Sequence, residues 1–288
     1  MRMGMGISEF TPWNVIITPK HRLFDLGLRD VWLSRDLIRL FIRRNFVVNY
    51  RQTVLGPLWY IMQPLIATAI YTVIFSVVVR LPTDNVPPIL FYLAGVILWS
   101  NFQTNFLLTS DVFFSNSGLF GKVYFPRLTV PIATILTNLI TIAIHFAVFC
   151  VIFLVAAIDG QATTPSMWIV LTPLLFMANT LLALGCGLIV SAVTTRYRDL
   201  VPIVGSVIPL LMYATPVLYP LSQIPPKWWP LVALNPLSTS MELFRFAWFG
   251  AGSMTLIQIV ISFSVVCVVL TAGLVLFSRA ERDAADTV

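Results

Sequence analysis

From residue 58 onward this chain is almost continuously apolar, while the 57 residues before it hold nine of its 18 basic residues and no long apolar run. Of its 288 residues, 58% are hydrophobic and only 10% are charged, against about 25% charged in an ordinary soluble domain. Such a chain has too few polar side chains to cover a soluble fold. It reads as an all-α integral membrane protein, built as one membrane domain behind a charged segment that stays in the cytoplasm. Met1 to Thr11 is short and mixed, with no apolar core before a small-residue cleavage site, so no cleavable signal peptide is expected.

Crossing a ~30 Å hydrocarbon core takes about 20 apolar residues. On that basis six spans are expected, near 58–79, 89–113, 128–158, 167–194, 201–219 and 254–278. The third and fourth are long enough to tilt or to project. Both termini then share a side. With that side cytoplasmic, inner segments hold 15 basic residues and outer ones only Arg80, Lys227 and Arg245. The bias supports an N-in, C-in arrangement. The resulting division is a cytoplasmic segment 1–57, a transmembrane domain 58–279 and a tail 280–288.

Within the N-terminal segment, Arg35, Arg39 and Arg43 recur every four residues and share one stripe of a helix over about 29–48. Leu33, Leu37, Leu40 and Phe41 fall roughly opposite. A basic amphipathic helix of this kind lies in the membrane interface, where its arginines meet anionic head groups. It is either a topology anchor alone or also a face for a partner or an incoming substrate.

Residues 220–253 are too long for a turn, yet aromatic and apolar, with Trp228 and Trp229 between prolines. Asn235 before Pro236 suits a helix start, Gly250 and Gly252 can end that helix, and Glu242 and Arg245 can pair at i,i+3. Two short helices are expected, either re-entrant at a pore mouth or forming an interfacial belt. The fifth span carries Pro202, Pro209 and Pro216 near one face. That spacing fits a span bent beside a moving or water-lined core, or a static kink.

No carboxylate lies at the middle of an expected span, which argues against proton- or sodium-coupled transport. His145, the titratable candidate inside a span, either bonds a neighbouring helix or relays protons. No phosphate-cradling glycine loop, metal spacing or paired catalytic acids occur. Cys150, Cys186 and Cys267 all lie in apolar runs and suit packing. The chain is therefore expected to be no enzyme, with no cofactor of its own, and any energy must come from another subunit. Aromatic rings at Trp59, Tyr60, Tyr71, Tyr92, Trp99 and Phe102 suit a passage for sugars, whose C–H faces stack on rings, or ordinary packing.

The stretch Tyr50-Arg51-Gln52-Thr53-Val54-Leu55-Gly56-Pro57-Leu58-Trp59 with Gln63-Pro64 resembles the start of the first span in ABC-2-type permeases of polysaccharide exporters. So do Lys122-Val123-Tyr124-Phe125-Pro126-Arg127, Arg198-Asp199-Leu200, Asn235-Pro236 with Arg245, and the tail from Glu281 to Asp286. The resemblance covers essentially the whole chain. It implies a homodimer in the bacterial cytoplasmic (inner) membrane, bound to two copies of a separate ATPase subunit that holds ATP and Mg. It also implies an ATPase-coupling segment that includes Ser117, Lys122, Tyr124, Phe125 and Arg127. An outer gate would involve Pro216, Tyr219, Trp228, Trp229, Asn235, Pro236, Glu242 and Arg245. The implied substrate is a lipid-linked polysaccharide such as O-antigen, in contact with membrane lipids and with no nucleic acid involved. Arg35, Arg39, Arg43 and Arg44 would form its interfacial gate, attracting a pyrophosphate by charge and position. An exporter of a small hydrophobic molecule or drug, and a membrane glycan-assembly protein, are the alternatives.

Overall fold

The computed structural model describes residues 28–51, 56, 58–120, 125–161, 165–197, 199–252 and 255–286. Among these residues there is no strand. The elements are α1 (Leu28–Leu33), α2 (Arg35–Arg51), α3 (Leu58–Tyr71), α4 (Pro88–Ser110), α5 (Val112–Ser115), α6 (Ser117–Phe120), α7 (Thr129–Ile158), α8 (Thr172–Thr194), α9 (Leu200–Ala214), α10 (Trp229–Leu234), α11 (Pro236–Phe249) and α12 (Leu256–Asp286). A π-helical stretch, Thr72–Val78, extends α3, and a 3₁₀ turn, Met167–Leu171, leads into α8.

Among the described residues, four helical stretches are long and apolar enough to cross a bilayer: Leu58–Val78, Thr129–Ile158, Met167–Thr194 and Leu256–Arg282. The other two expected spans differ for identifiable reasons. Helix α4 has the length, but Ser100, Asn101, Gln103, Thr104 and Asn105 dilute its apolar character. Helix α9 has 15 residues, short of the ~20 a span requires. It stops at Ala214 because proline disfavours helical backbone in the residue before it, and Thr215, before Pro216, is extended at φ −104°, ψ 145°. Pro202 falls in the first turn, so Pro209 is the proline left inside the helix. Ile203, Val207, Leu210, Leu211 and Tyr213 are exposed, with Ile208 and Met212 turned inward.

The centre of the fold is α4 packed between α7 and α8, with α12 on the far side of α8. Glycines set the approach of α8 to α12. A Cβ on Gly185 would lie 2.8 Å from the Leu270 backbone, and one on Gly273 would lie 3.0 Å from Gly185 Cα. Small residues serve this purpose in membrane helix pairs, because backbones can then touch. Aromatic packing closes one end of the bundle: Phe149 lies 5.0 Å from Phe244 and 4.9 Å from Trp248, ring centre to ring centre. A second apolar cluster closes the opposite end around Phe41, Phe113, Leu188 and Phe277.

Gly185→Ala is expected to lower the unfolding temperature of the detergent-solubilised protein by several degrees, since overpacking costs about 1–3 kcal/mol. Gly205→Ala on α9, where a Cβ meets nothing within 4 Å, is expected to leave it unchanged or raise it. Equal effects from the two would show that the glycine contact does not set the α8–α12 approach.

Candidate functional site

Three constellations occupy successive levels of the bundle. The first is a buried charge hub on α11. Asn235 caps this helix, its Oδ1 accepting from Leu237 N at 3.1 Å, and Pro236 takes the first helical position. Gly250 ends the helix at φ +68°, its N–H bonded to Phe246 O at 3.0 Å. Between them Arg245 donates to Glu242 at 3.3 Å and to the Val217 carbonyl at 3.1 Å. The Arg245 guanidinium also sits 3.8 Å from the Phe91 ring centre. Both charged residues are buried. The Val217 carbonyl would lie 2.7 Å from a Cβ on Gly95, so the glycine in α4 makes room for the carbonyl that Arg245 grips. Thr215, Pro216 and Val217 are buried beside this hub, and Tyr219 donates to Tyr213 O at 3.2 Å. Trp228, under Lys227, is exposed and Trp229 half-buried.

The second constellation is an amide chain through the centre. Asn105 donates to Asn101 Oδ1 at 2.7 Å, Asn138 of α7 donates to Asn105 Oδ1 at 3.0 Å, and Thr180 of α8 donates to Asn101 Oδ1 at 3.3 Å. Asn179 adds a bond to Leu98 O at 2.7 Å. These bonds join three helices where water is scarce. Sequence reasoning missed them; the signal was the i,i+4 spacing of Asn101 and Asn105 within the polar run Ser100–Asn105 of an expected span.

The third is a junction at the opposite end of the bundle from α11. Phe125 packs against Phe41 of α2 and Phe120 of α6, at 5.8 and 5.7 Å. Arg127 covers the Phe120 and Phe113 rings, and its N–H bonds Glu281 of α12 at 2.8 Å. Phe113 stacks on Phe277 at 4.7 Å. Of the expected coupling residues, Phe125 and Arg127 therefore join α2 to α12. Lys122, Tyr124 and the side chain of Ser117 lie outside the described residues.

Beside the amide chain a cleft of about 830 Å³ opens between α2, α3, α4 and α7, within the size range of small-molecule sites. Helix α3 contributes Tyr60, Gln63 and Tyr71; α4 contributes Trp99, Ser100, Gln103 and Thr104; α7 contributes Thr134, Thr137, Asn138, Thr141 and His145. Arg44, Asn45, Asp111, Ser115 and Asn116 lie at its α2 end. Trp99 Nε1 donates to Gln103 Oε1 at 2.7 Å, and Ser100 Oγ lies 3.5 Å from His145 Nδ1.

The cleft brings together Tyr60, Tyr71 and Trp99 of the expected aromatic passage. Tyr92 and Phe102 are instead buried in the core, and Trp59 points outward from α3. Of the four arginines, Arg44 lines the cleft, its guanidinium 4.9 Å from the Phe41 ring centre. Arg35, Arg39 and Arg43 are exposed, with Arg39 3.5 Å from Asp36. The expected apolar face of α2 is divided. The expected helix 29–48 is broken at Ser34 into α1 and α2; Leu37, Ile38, Phe41 and Ile42 of α2 pack against the bundle, while Leu40 of α2 and Leu33 of α1 are exposed. One helix thus presents a protein-facing arc, an arginine arc and an apolar arc, because α7 takes up part of the apolar surface that a lone interfacial helix gives to lipid.

Residues 36–249 match the ABC-2 type transporter family. The chain belongs to that family. This ABC-2 chain is 28% identical over 253 residues to the O-antigen export system permease protein RfbA of Klebsiella pneumoniae, covering 87% of this chain and 94% of that protein. It is 28% identical over 220 residues to the protein of the same name from Myxococcus xanthus, covering 76% and 82%. It is 26% identical over 218 residues to the polysialic acid transport protein KpsM of Escherichia coli, covering 75% and 82%. The charge hub, the whole amide chain and the wall of α4 that faces the cleft all lie inside the family's extent.

Removing one partner of a buried ion pair strands the other, at a cost of about 3–5 kcal/mol. Arg245→Leu is therefore expected to reduce the yield of monodisperse protein severely, and the double variant Arg245→Met with Glu242→Gln is expected to recover much of it. Size-exclusion profiles of the two measure this. An unaltered profile for Arg245→Leu would show that the pair does not hold the hub.

Proposed function

We propose that this chain is the transmembrane permease subunit of an ABC exporter that moves a lipid-linked polysaccharide of the O-antigen class across the bacterial inner membrane. The observation that carries this reading is the cleft, whose walls are tyrosine, tryptophan, hydroxyl and amide side chains rather than an unbroken apolar surface. Sugars present C–H faces to rings and O–H groups to amides and hydroxyls. An exporter of small hydrophobic molecules has no use for so many polar groups, each of which is costly to bury unpaired. The names of the relatives, O-antigen export and polysialic acid transport, point the same way.

In this reading the chain crosses the membrane six times, with α4 as the second span and α9, lengthened by the non-helical residues 215–219, as the fifth. Both termini are cytoplasmic, 1–57 forms the basic N-terminal segment, and two copies of the chain pair. Two copies of an ATPase, holding ATP and Mg, dock against the junction of Phe125 and Arg127. Because that junction also holds α2 and α12, a displacement there is passed to both. Helix α2 lies in the interface, where Arg35, Arg39, Arg43 and Arg44 draw in the pyrophosphate of the lipid carrier. The α11 hub, with Pro216, Tyr219, Trp228 and Trp229 around it, forms the outer gate.

Complementation tests this. In a strain lacking the chain, the wild-type gene is expected to restore surface polysaccharide. Arg39→Glu with Arg43→Glu is expected to reduce it at least tenfold with membrane insertion unchanged, since both residues are exposed and fold-neutral. Normal export by that double variant would remove the arginines from the mechanism. ATP hydrolysis by the purified chain without a second subunit would overturn the permease reading.

A further inference from the structure

A contact from the loop between α3 and α4 reaches the segment that the α11 hub holds. Arg245 grips the Val217 carbonyl at 3.1 Å, and the Glu242 carboxylate takes the backbone N–H of Leu221. Ser222, the next residue, donates its hydroxyl to both carboxylate oxygens of Asp84, at 2.9 and 3.2 Å. Asp84 is also near enough to act electrostatically on both Glu242 and Arg245. The segment 217–222, on the way from α9 to α10, is thus held by α11 at two points and by the α3–α4 loop at a third. We propose that Asp84 is a positioning residue for the outer gate: bonded to Ser222 it latches the 217–222 segment shut, and the gate opens when that bond is released. This rests on the exporter reading and adds to it the contact that keeps the gate closed at rest.

The three holds differ in how readily they break. Arg245 and Glu242 are buried, and a buried charged group that loses its partner bears its full desolvation penalty. Asp84 and Ser222 are both exposed, so water replaces either partner at little net cost. Asp84–Ser222 is therefore the hold that can break and re-form in each transport cycle, while the other two keep the segment with α11.

The loop is built to present Asp84. Val86 N donates to Thr83 O at 3.0 Å and Thr83 Oγ1 donates to Val86 O at 2.6 Å, which closes a tight turn. The Val86 side chain anchors that turn in the core. Asp84 and Asn85 fill its central positions at φ +50° and +63°, left-handed backbone that Asp and Asn tolerate. Arg80, at φ +61°, lacks that tolerance, and its backbone stores strain. Before it, Thr72–Val78 is π-helical and Val79 N bonds Ile74 O at 2.9 Å, a rare form that gathers at functional positions. Among the described residues the Thr72 hydroxyl is buried with no hydrogen-bond partner, a further mark of a strained stretch. Further back the same helix lines the cleft with Tyr60, Gln63 and Tyr71. A return of the π-helical stretch to i→i+4 bonding would turn and displace the loop beyond it, and so draw Asp84 off Ser222.

Reversible cross-linking in exporting cells tests the latch. Asp84→Cys with Ser222→Cys is placed in a chain whose Cys150, Cys186 and Cys267 are replaced by alanine. Untreated, it is expected to export normally. A bifunctional methanethiosulfonate is expected to join 84 to 222 within one chain, as read by mass spectrometry, to lower surface polysaccharide at least tenfold, and to release the block on reduction. Each single-cysteine variant is expected to export normally under the same treatment. In proteoliposomes holding the exporter complex without ATP, Asp84→Ala and Ser222→Ala are expected to raise passive leak of maltotriose about fivefold, with Asp84→Asn and Ser222→Thr, which keep an acceptor and a hydroxyl, within twofold of wild type. Undiminished export by the linked chain, no linkage where both thiols react with maleimide, or loss of export by untreated Asp84→Ala at unchanged protein level would each overturn the latch and leave the exporter reading standing. Failure of the wild-type gene to restore surface polysaccharide would instead overturn the exporter reading.

Discussion

Lipid tails are as apolar as leucine, so helices in a bilayer gain little by burying apolar surface against one another. Close backbone contact and polar bonds between helices must do that work, and the rest of this structure follows from where they are placed. Gly185 and Gly273 bring α8 and α12 together, and the amides of Asn101, Asn105 and Asn138 tie α4 to α7 and α8. A single interhelical hydrogen bond in a membrane is worth only about 0.6 kcal/mol on average. The set matters through its connectedness: a satisfied network fixes one arrangement of three helices and penalises the others.

That requirement explains why α4 is the least apolar of the long central helices. It serves two neighbours at once. Asn101 and Asn105 face inward to α7 and α8, while Ser100, Gln103 and Thr104 face the cleft. The polarity that makes α4 a poor span by composition makes it both the fastening of the bundle and one wall of the site. Helix α7 divides its faces in a similar way, with Asn138 reaching from the cleft lining into the amide chain.

Local signals were legible in the sequence because local physics decides them. The Asn235-Pro236 start, the Gly250 stop and the Glu242–Arg245 pair all concern groups within one or two turns of each other. The Pro216 signal was equally local, yet a count of apolar residues ran through it to 219 and overlooked the constraint on Thr215. The division of the apolar side of α2 was not legible, since only the position of α7 determines which leucines pack and which remain exposed. The Thr134–His145 stripe could have been read by spacing alone. It was hidden because a threonine every three or four residues scarcely lowers the apolar character of a thirty-residue helix, while the rings of α3 and α4 are the stronger signal. Tyr92 and Phe102 show the cost of that emphasis: an aromatic side chain fills a core as readily as it lines a passage.

The carbonyl of Val217 is held between a missing side chain on Gly95 and the guanidinium of Arg245. Because the gripped atom belongs to the main chain, no replacement at 217 deletes it. Residue 217 is thus free to drift among side chains of valine's volume. Positions 95 and 245, on different helices and 150 residues apart, are bound to a common fate: a larger residue at one displaces the atom on which the other depends. Substitutions there should travel in pairs through the history of the chain, although the two positions share nothing except the backbone oxygen between them.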